Sequence, residues 1–322
     1  MNKRRNFWLV LGLTPFILTL CVMMGPSGFG LPDLNLEREI LTLRLTRVFC
    51  GLVIGAALSC SGVVFQAILR NPLAEPYILG VSSGAGLGAA IAIVTGIAAA
   101  GAYVLPLCAF VMAVITLALV YGVSRSSGDS PSIYGLILSG VIVSAVCSSL
   151  LMFMVSVSSI EGMHSILWWM LGNLEVSSNA VLILISLVVT AGGLGLWSMS
   201  RELNALTLGH HMAHHLGIRV RVTIIIALLL ATLVASAAVG VAGLIGFVGL
   251  IVPHIMRHLV GADHRRLIPA AAIGGGAFLA ACDALARTVL AVEIPVGVIT
   301  ALLGGPFFLY LLKRRRAQSW PE

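Results

Sequence analysis

Four histidines in one short polar segment have the spacing of a metal site. His210 and His214, and likewise His211 and His215, are four residues apart, so each pair would project from one helix face and could bind a divalent cation. No carboxylate or thiolate nearby completes a ligand set, and histidines equally suit a polar surface for docking. We therefore predict no metal ion and no cofactor, and we favour the docking surface.

Asp283 is the one acid well inside an apolar segment, and Arg287 follows it by four residues. This spacing places both side chains on one helix face, where they would neutralise each other. Carriers driven by protons or ions usually bury acids within their membrane-spanning segments. We interpret Asp283 as half of an ion pair rather than as a proton relay.

The chain lacks the phosphate-binding loop that many ATPases use. Its two lysines, Lys3 and Lys313, do not follow glycine, so the sequence contains no Gly-x-x-x-x-Gly-Lys-Ser/Thr loop to hold phosphates. Its six cysteines are scattered through apolar segments without a Cys-x-x-Cys pair, which is typical of packing residues. We predict no catalytic residues, and the sequence points to an energy source on a partner.

The composition excludes a soluble protein. Of the 322 residues, 59% are hydrophobic and only 10% are charged, with a mean hydropathy of +1.07. Such a chain cannot cover its surface with polar side chains, which rules out a cytosolic enzyme, a nucleic-acid-binding module and a disordered scaffold. Long continuous apolar runs indicate an all-α, polytopic membrane protein rather than a β-barrel.

The apolar runs predict about ten membrane-spanning helices, near residues 7–24, 47–69, 78–95, 102–123, 133–157, 179–199, 222–242, 244–260, 267–290 and 296–312. With both termini in the cytoplasm, 15 of the 19 Lys and Arg residues lie on the cytoplasmic side, as basic residues prefer. The first run lacks a cleavage site and is interpreted as a retained anchor. No linker divides the chain, so residues 1–322 are predicted to form a single membrane domain.

Six sequence motifs indicate which class of membrane protein this is. They are Leu43–Arg47 (LRLTR), Arg70–Gly86 (RNPLAEPYILGVSSGAG), Trp169–Gly172 (WMLG), Leu203–Gly209 (LNALTLG), Gly246–Arg257 (GFVGLIVPHIMR) and Pro295–Phe307 (PVGVITALLGGPF). Together, and in this order, they closely resemble the motifs of the FecCD-type permeases over residues 40–312. These are the ten-span membrane subunits of ATP-binding-cassette (ABC) importers for iron–siderophore complexes, haem and cobalamin. The resemblance implies a type II ABC importer permease fold in a bacterial cytoplasmic (inner) membrane.

The resemblance also implies partners. Two permease copies would surround a central path, each copy would contact one of two ABC ATPase subunits, and a periplasmic or extracellular substrate-binding protein would deliver the substrate. The second copy could be identical or a related permease, and lipid surrounds the assembly. The sequence does not distinguish a siderophore, haem or cobalamin as the cargo.

The segment 201–217 resembles the family's coupling loop, which contacts the ATPase, and is expected to form two short helices that break at Gly209. Its predicted contact residues are Leu203, Leu206, Leu208, Gly209, His210 and His211. Family members usually carry acidic residues just after the glycine, where this chain has histidines.

Two further sites follow from the resemblance. Arg44, Arg47 and Arg287 match arginines that receive acidic residues of the substrate-binding protein. The alternative is local pairing, of Arg287 with Asp283 and of the other two arginines with Glu37, Glu39 or lipid phosphates. The fifth and tenth spans are expected to line the path through Ser139, Ser144, Ser148, Met152 and Thr300.

A competing class is a secondary carrier or channel that works without an ATPase. Such a protein would be expected to carry intramembrane acids or unpaired charges along a path. The sequence lacks such a series, which favours the importer subunit.

Overall fold

The computed structural model describes residues 3–25, 28–30, 38–124, 133–175, 178–290 and 292–319. Within these ranges the chain forms thirteen α-helices: α1 Lys3–Met23, α2 Arg38–Ile68, α3 Val81–Val94, α4 Val104–Ser124, α5 Ile133–Val157, α6 Ile160–Met170, α7 Asn179–Ser198, α8 Ser200–Thr207, α9 His210–His215, α10 Val220–Ala242, α11 Val248–Val260, α12 His264–Thr288 and α13 Val296–Ser319. The prediction of a polytopic helical membrane protein is confirmed.

The described residues also contain short elements that are not α-helical. Two strands, β1 Met24–Gly25 and β2 Gly28–Phe29, pair antiparallel between α1 and α2. One-turn 3₁₀ helices at Pro76–Leu79 and Ile97–Ala100 flank α3. The first of them begins with proline, whose fixed φ suits the start of a helical turn.

Each of the ten predicted spans coincides with a helix. Seven helices in the described residues, α1, α2, α4, α5, α7, α10 and α12, are long and apolar enough to cross a membrane, whereas α3, α11 and the apolar part of α13 are shorter. At 1.5 Å per residue, the 14 residues of α3 rise about 21 Å, less than the roughly 30 Å of a hydrocarbon core. Length and composition alone therefore support seven crossings.

The centre of the molecule is the antiparallel contact between α2 and α12. The helices approach closely because glycines face the contact: a Cβ at Gly51 would lie 3.1 Å from the Cα of Ala280, and one at Gly276 would lie 2.8 Å from the carbonyl oxygen of Leu52. Small residues let apolar helices approach and pack in a membrane, where the hydrophobic effect gives no drive between them. This contact fixes the register of the polar side chains at both ends of the two helices.

Candidate functional site

An ionic cluster lies at the end of the α2–α12 contact where α2 begins and α12 ends. Asp283 Oδ1 accepts a hydrogen bond from Arg47 Nη2 at 3.1 Å, and Asp283 Oδ2 lies 2.9 Å from Arg287 Nε. Arg47 Nη2 also pairs with Glu293 Oε1. The Asp283 and Arg287 side chains are buried, whereas the Glu293 side chain is 46% exposed. Two cations and two anions therefore balance here.

Arg44 lies one turn before Arg47 on α2, but its guanidinium has a different environment. Its Nη1 donates to the carbonyl oxygens of Gly30 at 2.9 Å and of Val22 at 3.2 Å. Gly25 of the β1–β2 hairpin lies directly against the guanidinium, where no larger side chain would fit. Arg44 is buried and bonds the hairpin to α2.

These contacts test part of the alternative that the three arginines pair locally instead of binding a partner protein. The predicted pair between Arg287 and Asp283 is confirmed. Arg47 pairs with Asp283 and Glu293 rather than with Glu39, while Glu37 lies outside the described residues. Sequence reasoning missed Glu293 because its link to Arg47 depends on how the chain turns after α12. Docking of a binding protein on these arginines stays a prediction.

The segment 201–217 forms α8 and α9 with a break at Gly209, as predicted. Gly209 has a φ of +110°, a left-handed conformation that glycine adopts without steric cost. The side chains of Leu203 and Leu206 are buried in the protein's own core, whereas that of Leu208 is 63% exposed. The first two leucines therefore hold the loop against the body, and their side chains do not belong to its outward face.

The outward face of this loop has an apolar strip that the sequence analysis missed. Leu208, Met212 and Leu216 are all more than half exposed and follow one another at four-residue spacing. Met212 and Leu216 are four residues apart along α9 and lie on the same side of it, and Leu208 precedes them across the break at Gly209. The four-residue spacing was visible in the sequence.

A hydrogen-bond network fastens the loop to the start of α12. Asn204 Nδ2 donates to Asp263 Oδ1 at 2.8 Å, and Asn204 Oδ1 accepts from the backbone N–H of His264 at 3.0 Å. Asp263 also caps α12 by accepting from the Arg265 N–H at 3.1 Å. The bond from Asn204 lowers the pKa of Asp263 below its usual value, aided by the backbone bond and by the nearby arginines. Asp263 and its preference for N-cap positions were readable signals that sequence reasoning did not use.

The histidines of α9 surround no preformed ligand set. Partial burial, together with the charge of Arg70, lowers the pKa of His210, which favours its neutral form. His211, His214 and His215 are exposed, and the rings of the last two meet edge to face at 6.4 Å. Among the described residues, no group of three or more His, Cys, Asp or Glu side chains is arranged to hold a metal ion.

The predicted path residues divide into two groups. Ser148 and Met152 are exposed on one side of α5, and Ser144 is half-buried on the same side. Ser139 and Thr300 are buried, and the Thr300 hydroxyl donates to the carbonyl oxygen of Gly297 at 3.1 Å. In a single chain, only the first group can contribute to a lining.

A polar clasp that sequence reasoning did not find joins the segment before α3 to the link between α10 and α11. The Tyr77 hydroxyl donates to the carbonyl oxygen of Ile245 at 2.9 Å, and Glu75 Oε1 accepts from the Phe247 N–H at 2.6 Å. Phe247 has a left-handed φ of +67°, which is unusual for a bulky residue, and its side chain lies against Gly304 of α13. The clasp therefore connects α3, α11 and α13 at one point.

The chain was compared with models of known protein families. The model of the FecCD transport family matches residues 13–314. The chain belongs to the FecCD transport family.

Individual relatives align with almost the whole chain. The chain is 41% identical over 316 residues to the cobalamin import system permease protein BtuC of Halobacterium salinarum, covering 96% of this chain and 82% of that protein. It is 39% identical over 337 residues to the hemin transport system permease protein HmuU of Yersinia pestis, covering 99% of each. A solved metal-chelate type ABC transporter in an inward-facing conformation superposes with a TM-score of 0.85 at 31% identity, covering 97% of this chain and 99% of that one.

FecCD membership confirms the resemblance drawn from the six motifs. It also confirms the predicted class of function, a permease subunit of an ABC importer. The family consists of transport permeases, and several of the motifs contribute residues to the ionic cluster, the clasp and the loop.

Proposed function

We propose that this FecCD permease works as a pair of copies that import a large metal chelate through the cytoplasmic membrane, with ATP hydrolysis supplied by two ABC ATPase subunits. In this proposal residues 1–322 form one permease domain of the type II importer fold, with ten spans and both termini in the cytoplasm. The single observation that carries it is the family match, which extends over residues 13–314.

The substrate class rests on what related proteins carry. Two relatives are named for cobalamin and hemin, and the structural neighbour is of the metal-chelate type. All three names describe metals held in organic ligands. We propose that the cargo here is a metal chelate of this size class, either a corrinoid, haem or an iron–siderophore complex.

The ATPase contact is proposed to be the outward face of α8 and α9. The apolar strip of Leu208, Met212 and Leu216 would fill an apolar socket on the ATPase, with His210 and His211 beside it. The bonds from Asn204 to Asp263 and His264 support this role, because a loop fixed to α12 transmits displacement to the membrane helices instead of yielding.

The binding protein is proposed to dock at the opposite end, on the ionic cluster. Arg47 is the accessible member, since Arg44 and Arg287 are buried. An acidic residue of the binding protein would replace Glu293 as the partner of Arg47. Charges at the rim of an interface chiefly set the rate and register of encounter, which suits a partner that must bind and leave repeatedly.

Reconstitution tests this proposal. The permease, its ATPase and its binding protein are incorporated into liposomes, and uptake of cyanocobalamin, haemin and a ferric siderophore is measured with ATP or a non-hydrolysable analogue inside. We expect uptake of one of the three that requires both ATP and the binding protein. Uptake by the permease without the ATPase, driven by an ion gradient, would support the alternative of a secondary carrier and overturn the proposal.

A further inference from the structure

A groove of about 680 Å³ opens on the side of the molecule between α1, α2, α7 and α12. It is separate from the ionic cluster, the clasp and the coupling loop. Phe7 and Trp8 of α1 form one wall, and Val189 and Leu194 of α7 form the other. Trp8 and Leu194 are both more than half exposed, so neither side chain fills the space between the walls.

The floor of the groove consists of small side chains. Ala56 and Cys60 of α2 and Ala272 of α12 leave a depression between the larger residues of the walls. The Cys60 thiol is turned inward, with its sulfur 3.7 Å from the carbonyl oxygen of Ile268. The surface that remains is almost wholly apolar, and it matches a hydrocarbon chain.

The groove ends at two cations. Arg265 and Arg266, in the first turn of α12, line one end and are both exposed. Trp197 is fixed beside them, because its Nε1 donates to the carbonyl oxygen of Arg265 at 3.0 Å. The nearest acid on this element, Asp263, is engaged by the Asn204 amide and the Arg265 N–H. Tryptophans are enriched at membrane–water interfaces, so Trp8 and Trp197 place this end at headgroup level.

We propose that the groove binds an anionic phospholipid. The phosphate of the headgroup lies on Arg265 and Arg266, and an acyl chain lies in the apolar slot. Basic sites between membrane helices on the cytoplasmic side select anionic headgroups. Its assignment to the cytoplasmic leaflet rests on the orientation in the proposed function. A soluble anion would leave the slot empty, and a helix of a protein partner would set the guanidinium groups against hydrocarbon.

Two kinds of variant separate the headgroup from the chain. Arg265→Gln combined with Arg266→Gln removes the charge and leaves the slot. Gly193→Phe fills the slot, because a Cβ at Gly193, which lines the groove, would meet no atom within 4 Å. Gly122→Phe on α4 is its matched control, since a Cβ there also meets no atom within 4 Å and the site lies outside the groove.

The test measures retained lipid and needs no transport, so its outcome is independent of the proposed function. The full-length permease is equilibrated with equal amounts of phosphatidylglycerol and phosphatidylethanolamine, and bound lipids are counted by native mass spectrometry. We expect wild type and Gly122→Phe to retain phosphatidylglycerol preferentially. The double glutamine variant should lose that preference by about tenfold, and Gly193→Phe should lose the bound lipid itself.

Several results would overturn the proposal. One is equal retention of the two lipids by wild type, and another is unchanged retention by Gly193→Phe. Displacement of phosphatidylglycerol by millimolar inorganic phosphate would identify a free-anion site, and a co-purifying peptide mass that Gly193→Phe removes would identify a protein partner. Size-exclusion profiles and melting temperatures of all variants ensure that lost retention is not lost folding.

Discussion

Arg47 lies between two carboxylates of different exposure, and this asymmetry defines what its charge can do. Asp283 is buried and also holds Arg287, whereas Glu293 is half exposed and, among the described residues, forms its ion pair with Arg47. The buried carboxylate therefore serves the fold, because an arginine left without it would be a costly buried charge. The exposed carboxylate can be exchanged for that of a partner.

Changes on the two sides of this pair should affect docking in opposite directions. Arg47→Gln should weaken the affinity of the binding protein, whereas Glu293→Gln should strengthen it, because it frees the arginine for the partner's acid. The measurement is the Kd at low and high ionic strength, and both effects should shrink as salt screens them. If both variants bind as wild type does at low salt, the cluster is structural only.

The helix pair α8–α9 has one face against the core and one face toward solvent. Substitutions on these two faces should have different effects on stability and on ATPase binding. Leu208→Asp combined with Met212→Asp should abolish assembly with the ATPase without lowering the free energy of unfolding, because both side chains are already exposed. Leu206→Ala should do the reverse, lowering the free energy of unfolding by about 2–5 kcal/mol through a core cavity.

Co-purification of the ATPase and thermal melting in detergent measure the two effects. Membrane insertion, followed by yield, should be normal for the double aspartate variant. Native ATPase binding by that variant would remove the loop from the coupling interface.

The α11–α12 turn should contribute stability that depends on pH. Because the pKa of Asp263 is lower in the folded protein than in the unfolded chain, its contribution is full above the unfolded value of about 4 and is lost as the pH falls through the folded value. Asp263→Asn should therefore lower the melting temperature at pH 7 and have progressively less effect below about pH 4. Melting is compared with that of Glu161→Gln, an exposed site on α6, and an equal loss at every pH would exclude the carboxylate charge as the cause.

For the whole molecule, the proposed pair of copies predicts which surfaces contact water. Ser148 and Leu187 are both exposed in the single chain, on α5 and α7 respectively. In the assembled transporter, Ser148→Cys should react with a charged, water-soluble thiol reagent, since it would line a hydrated path, whereas Leu187→Cys, facing lipid, should not. The wild-type chain is the background, because five of its six cysteines are buried and Cys108 is half-buried. If Ser148→Cys reacts no faster than Leu187→Cys and both stay unlabelled, this face of α5 lies against lipid and the proposed path is wrong.

The class of the molecule follows from its composition, because long apolar runs with few charges are stable only inside a bilayer. The Asp283–Arg287 pair and the break at Gly209 follow from the sequence as well, since helix periodicity and the conformational range of glycine are local properties. The tertiary structure alone decided that Leu203 and Leu206 face the core, that Arg47 shares Asp283 and pairs with Glu293, and that Tyr77 and Glu75 bond the α10–α11 link. Each of these contacts joins residues through the packing of separate helices, and no local pattern specifies which helices meet or in which register.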